Sequence, residues 1–324
     1  MRFEFRLEDD FSKNWNQNLT KSELGNIFNT IEYSKYAKNR LGWKPQFLTI
    51  IDPKGKLVGQ SILFEYSTRK FGKNFNRMIN KFSIKIPKKL RWTYGPIIFS
   101  NEKNIIFNEF LEFIHKTKNN VNGNTHPLLS LKFEKSPLEI SHWSTFLIDL
   151  KQSEENLLSK MDKKSVRKNI ERSEERGVTV HEINEKSLMD YHEILNKSRE
   201  ELKNSTYNFE DTKKLWDLLK PLGFNGFIAK KDDKITGGIT FSSFNNYINE
   251  WGVARTKKDT DERLYSQDLL KWKIIQWGKK FGNNFYDLSG ANPEPQTEKE
   301  KGILRYKKKW GGTMKKYLII GNKK

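Results

Sequence analysis

Two stretches of the chain, 178 residues apart, carry the same pattern. Phe47-Leu-Thr-Ile-Ile-Asp-Pro-Lys-Gly-Lys-Leu-Val-Gly-Gln-Ser-Ile-Leu-Phe64 reads as a strand, a turn over Asp52–Lys56 and a second strand. Phe227-Ile-Ala-Lys-Lys-Asp-Asp-Lys-Ile-Thr-Gly-Gly-Ile-Thr-Phe241 has the same form, and Lys56-Leu-x-Gly59 falls on Lys234-Ile-x-Gly237. A repeat of this length is a whole folding unit, so the architecture has to be built twice.

The segments after each hairpin repeat in the same order. Each hairpin leads to a Trp/Gly strand, Trp92-Thr-Tyr-Gly-Pro96 in one half and Glu250-Trp-Gly-Val253 in the other. An amphipathic helix comes next, through Ile106, Phe110, Phe113 and Ile114 or through Tyr265, Leu269, Trp272 and Ile275. A further strand succeeds it, Leu128–Phe133 or Phe285–Leu288, and an apolar strand closes each copy, Thr145–Leu150 or Lys316–Ile320. One helix is expected between the halves, with Ser153 as N-cap, Glu154 and Glu155 in its first turn and Gly177 just past its end. The expected class is α/β, two copies of one unit: a first domain over 1–147 and a second over 148–324. The final strand, about 315–324, is expected to pack with the first domain.

Composition narrows the function. Sixty Lys and Arg against 40 Asp and Glu leave a net charge of +20, which favours polyanionic partners over neutral ones. A basic insertion is expected at about 69–91, where nine cations run from Arg69 to Arg91 with Phe71, Phe75, Phe82 and other apolar residues among them and no acid. That mixture suits contact with RNA or an anionic membrane surface, and equally a long solvated hairpin. The 22 Phe, 11 Tyr and 9 Trp argue for a packed core. No apolar run reaches the roughly 18–20 residues of a membrane span, and the first residues carry no signal-peptide pattern, so a cytoplasmic protein is expected, with peripheral contact at the inner face of the membrane through 69–91. With no cysteine, thiolate catalysis and Cys-ligated zinc are excluded. The five histidines have no metal-binding spacing, and no metal is expected.

The chemistry concentrates in the second half. Tyr286-Asp-Leu-Ser-Gly290 ends a strand with an acid and a glycine, where α/β folds place ligands. Gly302-Ile-Leu-Arg-Tyr-Lys-Lys-Lys-Trp-Gly-Gly312 then sets cations and aromatics against a double-glycine turn.

From Asp287-Leu-Ser-Gly290 through Gly302-Ile-x-x-Tyr306-Lys307-x-x-Trp310-Gly311 the sequence resembles the terminal signature of the Fem aminoacyltransferases, roughly Asp-Leu-x-Gly, Gly-Ile/Val, Phe-Lys-x-x-Phe-Gly. Thr145–Leu150, Leu157–Met161, Arg167–Ile170, Glu174–Val178 and Leu195–Leu202 are similar to other segments of that family, and the likeness runs along nearly the whole chain. It implies two tandem GNAT-like acyltransferase domains, each a mixed, mainly antiparallel sheet flanked by helices. It also implies transfer of an amino acid from aminoacyl-tRNA to an amine of a peptide or of a nucleotide- or lipid-linked cell-wall precursor, with no cofactor. Lys307 matches the family's functional lysine. Arg199 matches an arginine that contacts substrate phosphate, and Lys38 or Lys35 a phosphate-binding lysine. Arg167, Arg305, Tyr306, Trp310, Tyr94 and Trp251 are the further candidates for substrate contact. After Gly95-Pro96 this chain has Ile97 where the family usually has an aspartate.

Acyl transfer to an amine needs a group to stabilise the tetrahedral oxyanion and a carboxylate to take the amine's proton. Lys307 suits the first task, and Asp287, Glu250 or Glu102 the second. An acyl-CoA donor such as acetyl-CoA is the alternative on the same fold. CoA-dependent GNAT enzymes hold the pyrophosphate on a glycine-rich turn, whereas Arg255–Asp268 here contains no glycine. A non-catalytic RNA- or membrane-binding descendant is the third reading.

Overall fold

The computed structural model describes residues 2–67, 88–132 and 136–322. They form two compact units, the first of residues 1–143 with 317–324 and the second of 144–316. The basic stretch expected over 69–91 lies mostly outside the described residues. Of its described end, Lys88 pairs with Glu65 at 2.7 Å and the Arg91 guanidinium sits 5.2 Å from the Trp43 ring.

In unit 1 the hairpin is β2 (Lys44–Ile51) and β3 (Leu57–Tyr66), flanked by β1 (Glu4–Glu8) on one side and β4 (Lys89–Trp92) on the other; all three pairings are antiparallel. The Asp52 carboxylate ties the hairpin turn by accepting from the Lys54 and Lys56 amides at 2.9 Å. A short β5 (Ile97–Ile98) pairs with β3. The helix α1 (Lys103–Lys116) buries Ile106, Phe107, Phe110, Leu111 and Ile114, which is the stripe the spacing predicts.

The next strand differs from expectation. It is β6 (Asn120–Asn124), parallel to β4, and not Leu128–Phe133. Asn-Val-Asn-Gly-Asn has little strand propensity; its neighbours hold it. Gly123 lies under Trp92, where any Cβ would overlap the indole. Beyond β6 the chain turns at His126-Pro127, with the Leu129 amide donating to the His126 carbonyl at 2.9 Å, so the apolar residues from Leu128 to Leu131 are not a strand. Phe133 lies outside the described residues.

Unit 2 repeats the scheme. Its strands are the 144–149 part of β7 (Glu139–Asp149), then β8 (Thr179–Glu182), β9 (Phe224–Lys231), β10 (Lys234–Phe244), β11 (Tyr247–Arg255) and β12 (Phe285–Ala291). They lie in the order β8-β9-β10-β11-β12-β7, antiparallel except for β11 with β12. The β9–β10 turn uses Asp232 and Asp233 at φ 50° and 57°, the mirror-image turn that matches strand twist.

The expected helix between the halves is two helices, α2 (Glu154–Lys160) and α3 (Lys168–Glu175). Ser153 does cap the first, accepting from the Asn156 amide at 3.2 Å, and Gly177 ends the second at φ 75°. The break at Met161-Asp162 has a distant cause: the Asp162 amide donates to the Lys309 carbonyl at 2.8 Å, so it is lost to the helix ladder.

Four more helices complete the unit: α4 (Glu185–Glu201), α5 (Phe209–Leu219), α6 (Ser266–Lys280) and α7 (Glu298–Lys308). α6 packs Leu269, Leu270, Trp272, Ile274 and Ile275 into a core with Phe227, Phe241, Tyr286 and Leu288.

The closing strands are exchanged relative to the repeat. Residues 144–149 pair with β12 and belong to unit 2, while 317–321 of β13 (Thr313–Gly321) belong to unit 1, where Ile319–Gly321 pair with β6. Among the described residues no helix is long and apolar enough to cross a membrane.

Candidate active site

The parallel pair β11–β12 is in register for three residues, Tyr247 to Asn249 against Phe285 to Asp287, and then parts. The cause is local to β12. Ser289 adopts φ 64° and the register against β7 shifts between Asp287 and Gly290. The Ser289 hydroxyl donates to the Glu250 carbonyl at 2.8 Å, so a side chain bridges the strands where backbone bonds stop.

Asp287 holds this bulge. Its carboxylate is wholly buried and accepts from Thr145 Oγ1, Tyr247 OH (2.7 Å), Asn249 Nδ2 (3.2 Å) and the Ser289 amide (2.7 Å). Burial raises its pKa against the pull of these donors. As a proposed base it is corrected: no face of the carboxylate is open to a substrate, and its geometry is that of an anchor.

Above the bulge lies a cleft of about 440 Å³, lined by Glu250 and Val253 of β11, Gln267, Asp268 and Lys271 of α6, and Tyr306 of α7, among others. The Glu250 side chain, 9% exposed, is ion-paired with Lys271 and accepts from Tyr286 OH at 2.6 Å. The Tyr286 hydroxyl is pushed well above the usual phenol range by burial first and by Glu250 second. Asp268 accepts from Asn169 Nδ2 at 2.8 Å and from Tyr306 OH at 3.1 Å, and burial raises its carboxyl pKa. Tyr306 keeps its ring about a third exposed, at 37%, with its hydroxyl on Asp268.

Lys307 Nζ donates to the carbonyls of Ser289 (2.9 Å) and Gly290 (2.8 Å), both at the bulge. Desolvation lowers its pKa and the charge of Glu250 opposes that shift. An ammonium has three donors, so one N–H is left over.

The end of α6 facing the cleft is already supplied with an anion. Asp259, buried, accepts from the Ser266 amide at 2.8 Å and is covered by Arg255 Nε at 2.7 Å.

The structure therefore brings together Lys307, Glu250 and Tyr306, with Asp287 beneath. Trp310 is 1% exposed and belongs to the core of unit 2, so the expected contact between it and substrate is corrected to packing. Trp251 packs on Phe224 at 5.1 Å and donates to Ser242 Oγ at 3.2 Å. Arg305 is exposed on α7. Arg167 is half-buried with no hydrogen-bond partner for its buried Nε. Arg199 donates to the Ser205 carbonyl at 2.7 Å and lies 4.1 Å from the Tyr207 ring. Glu102, Lys35, Lys38 and Tyr94 belong to unit 1. There Glu102 pairs with Arg2 at 2.7 Å, both lysines are exposed, and Tyr94 packs against His126 and Tyr317. Lys271, Asp268, Gln267 and Asn169 were not readable as site residues, although Lys271 beside Leu270 and Trp272 is a charge on a helix's apolar face.

No family model and no curated protein matches the sequence. Solved structures do. A crystal structure of FemX matches over 98% of both chains with a TM-score of 0.69 at 12% identity. The C-terminal domain of a putative lysylphosphatidylglycerol synthetase from Agrobacterium fabrum matches over 95% of this chain and 93% of that one, with a TM-score of 0.56 at 11% identity. A tandem GNAT protein from the clavulanic acid biosynthesis pathway matches over 98% of both, with a TM-score of 0.50 at 10% identity. The chain has a Fem-like tandem GNAT fold. In unit 2 of this fold the parted parallel strands, and not a glycine-rich turn, make the cleft.

Proposed function

We propose that the chain is an acyltransferase of the Fem type, moving an aminoacyl group from aminoacyl-tRNA to an amine of a peptide or of a nucleotide- or lipid-linked wall precursor. The observation that carries this reading is the parting of β11 and β12 over Glu250, with Lys307 fixed at the same bulge. The amine attacks the ester carbonyl, and the tetrahedral oxyanion takes the remaining N–H of Lys307. The Glu250 carboxylate receives the proton the amine sheds. Collapse expels the ribose oxygen, which leaves as a hydroxyl with that proton, and the new amide bond remains. A preorganised donor of this kind is worth about 10²–10³ in kcat.

Two features favour an ester donor over acyl-CoA. The α6 terminus that would meet a pyrophosphate is occupied by Asp259, and a +20 chain attracts a polyanion as large as tRNA. The neighbours named for FemX and for a lysylphosphatidylglycerol synthetase agree with this donor class.

The test is turnover with charged tRNA, uncharged tRNA and acetyl-CoA, each with a peptide amine acceptor. Charged tRNA should be the productive donor and uncharged tRNA an inhibitor. Lys307→Ala should lose about 10²–10³-fold in kcat with the cooperative unfolding transition retained. Turnover of acetyl-CoA alone would overturn the donor assignment, and unchanged kcat in the variant would remove the role of Lys307.

A further inference from the structure

The cleft of unit 2 has acceptors without donors. Glu250 Oε2 holds both Lys271 and Tyr286, while Oε1 of the same nine-tenths-buried side chain makes no hydrogen bond among the described residues. Gln267 is a second case. Its Nε2 donates to the Ala254 carbonyl at 2.6 Å, which fixes the orientation of the amide and leaves a buried Oε1 with no partner. Both residues line the cleft, and so does Asp268. Lys271 and Arg255, the cleft's cations, are each paired, with Glu250 and Asp259. Buried acceptors left unmatched are costly, and native structures keep few of them unless a ligand or ordered water completes them.

We propose that this cleft binds a primary ammonium group. An ammonium carries three donors and no acceptor, which is the complement of two lone oxygens, and a positive charge, which is the complement of the carboxylates beside them. An acid-lined cleft in a chain of +20 separates its ligands by charge: the polyanion is drawn to the surface and the amine to the cleft. The inference rests on the aminoacyl-transfer reading and names the chemistry that the same cleft selects. Two sources supply such a group, the α-amine of the donor's amino acid and the acceptor amine.

Calorimetric titration of the full chain separates them with two pairs of probes. L-Alaninamide against propionamide reports the donor's amine; Nα-acetyl-L-lysinamide against Nα-acetyl-L-norleucinamide reports the acceptor's. The ammonium-bearing member of at least one pair should bind at least tenfold more tightly than its neutral partner, and Glu250→Gln should remove that preference. Since Glu250→Gln also weakens the partner of Lys271, Val253→Arg provides a second variant. This half-exposed cleft residue should place a competing cation over the carboxylates and abolish binding with the unfolding midpoint unchanged. Equal binding of charged and neutral probes, or no binding of either pair, overturns the inference, as does an ammonium preference that survives both variants. Transfer assays on the same preparations keep the two readings apart. Aminoacyl transfer without ammonium preference sinks this inference alone; ammonium preference with turnover only of acetyl-CoA sinks the donor reading alone.

Discussion

Units 1 and 2 share a strand order and part at one place. In unit 1 the chain beyond β4 stays fastened to β6: Asn124 accepts from the Tyr94 amide through its side chain at 2.7 Å and from the Gly95 amide through its carbonyl at 3.0 Å. Asn26 and Asn29 cover the carbonyls of Tyr94 and Thr93, and Trp92 lies on Gly123. The corresponding place in unit 2 is open, lined by Glu250, Lys271 and Asp268. Duplication supplies the same scaffold twice; a cleft forms only where the parallel pair is broken, and one left-handed serine above one buried aspartate breaks it.

Acid should separate the units most. Burial holds the unit 1 residue His126 neutral, with its pKa lowered from 6.5 to about 3. The unfolded chain takes up that proton first, so its stabilisation is present above pH 6.5 and fades as pH falls toward 3, by up to about 4 kcal/mol. In unit 2, Asp268 and Asp287 have raised pKa values, so acid relieves their burial. His192 in unit 2 is lowered as well, and opposes that relief. Hydrogen exchange between pH 7 and 4 should show unit 1 peptides losing protection first, and His126→Asn should flatten the trend. Simultaneous loss in both units would break the contrast.

A smaller effect is expected from closing the space that Trp92 uses. Gly123→Ala should destabilise the protein by about 2–3 kcal/mol, because neither the indole nor the strand can give way. Denaturant unfolding checks it, and a loss below about 1 kcal/mol would mean that β4 and β6 are not locked together there. Smallest is Gly302→Ala in α7, a helix position with nothing within 4 Å of the added methyl. It should stabilise unit 2 by about 0.5–1 kcal/mol and leave transfer unchanged.

The parts legible in the sequence are those whose causes are local. Alternation gave β2, β3, β9 and β10, and helical spacing gave α1 and α6. β6 escaped because Asn120–Asn124 is a strand only by virtue of its neighbours, and the break after Lys160 escaped because the group that causes it is Lys309. In the site, Lys307 and Glu250 stood out by motif and position. Lys271 did not, since one lysine in an apolar helix face has meaning only once Glu250 lies opposite. Trp310 shows the reverse: an aromatic in the right motif that serves the core.

The exchanged closing strands also govern the order of synthesis. Unit 1 is translated first yet needs residues 317–321 to cover β6. At about 5–20 residues per second, that wait is on the order of 10–35 s. Throughout it, β6 presents an unpaired edge, the feature most prone to pairing with another nascent chain. A premature stop near the 3′ end of the message would therefore harm the half of the protein that was made first.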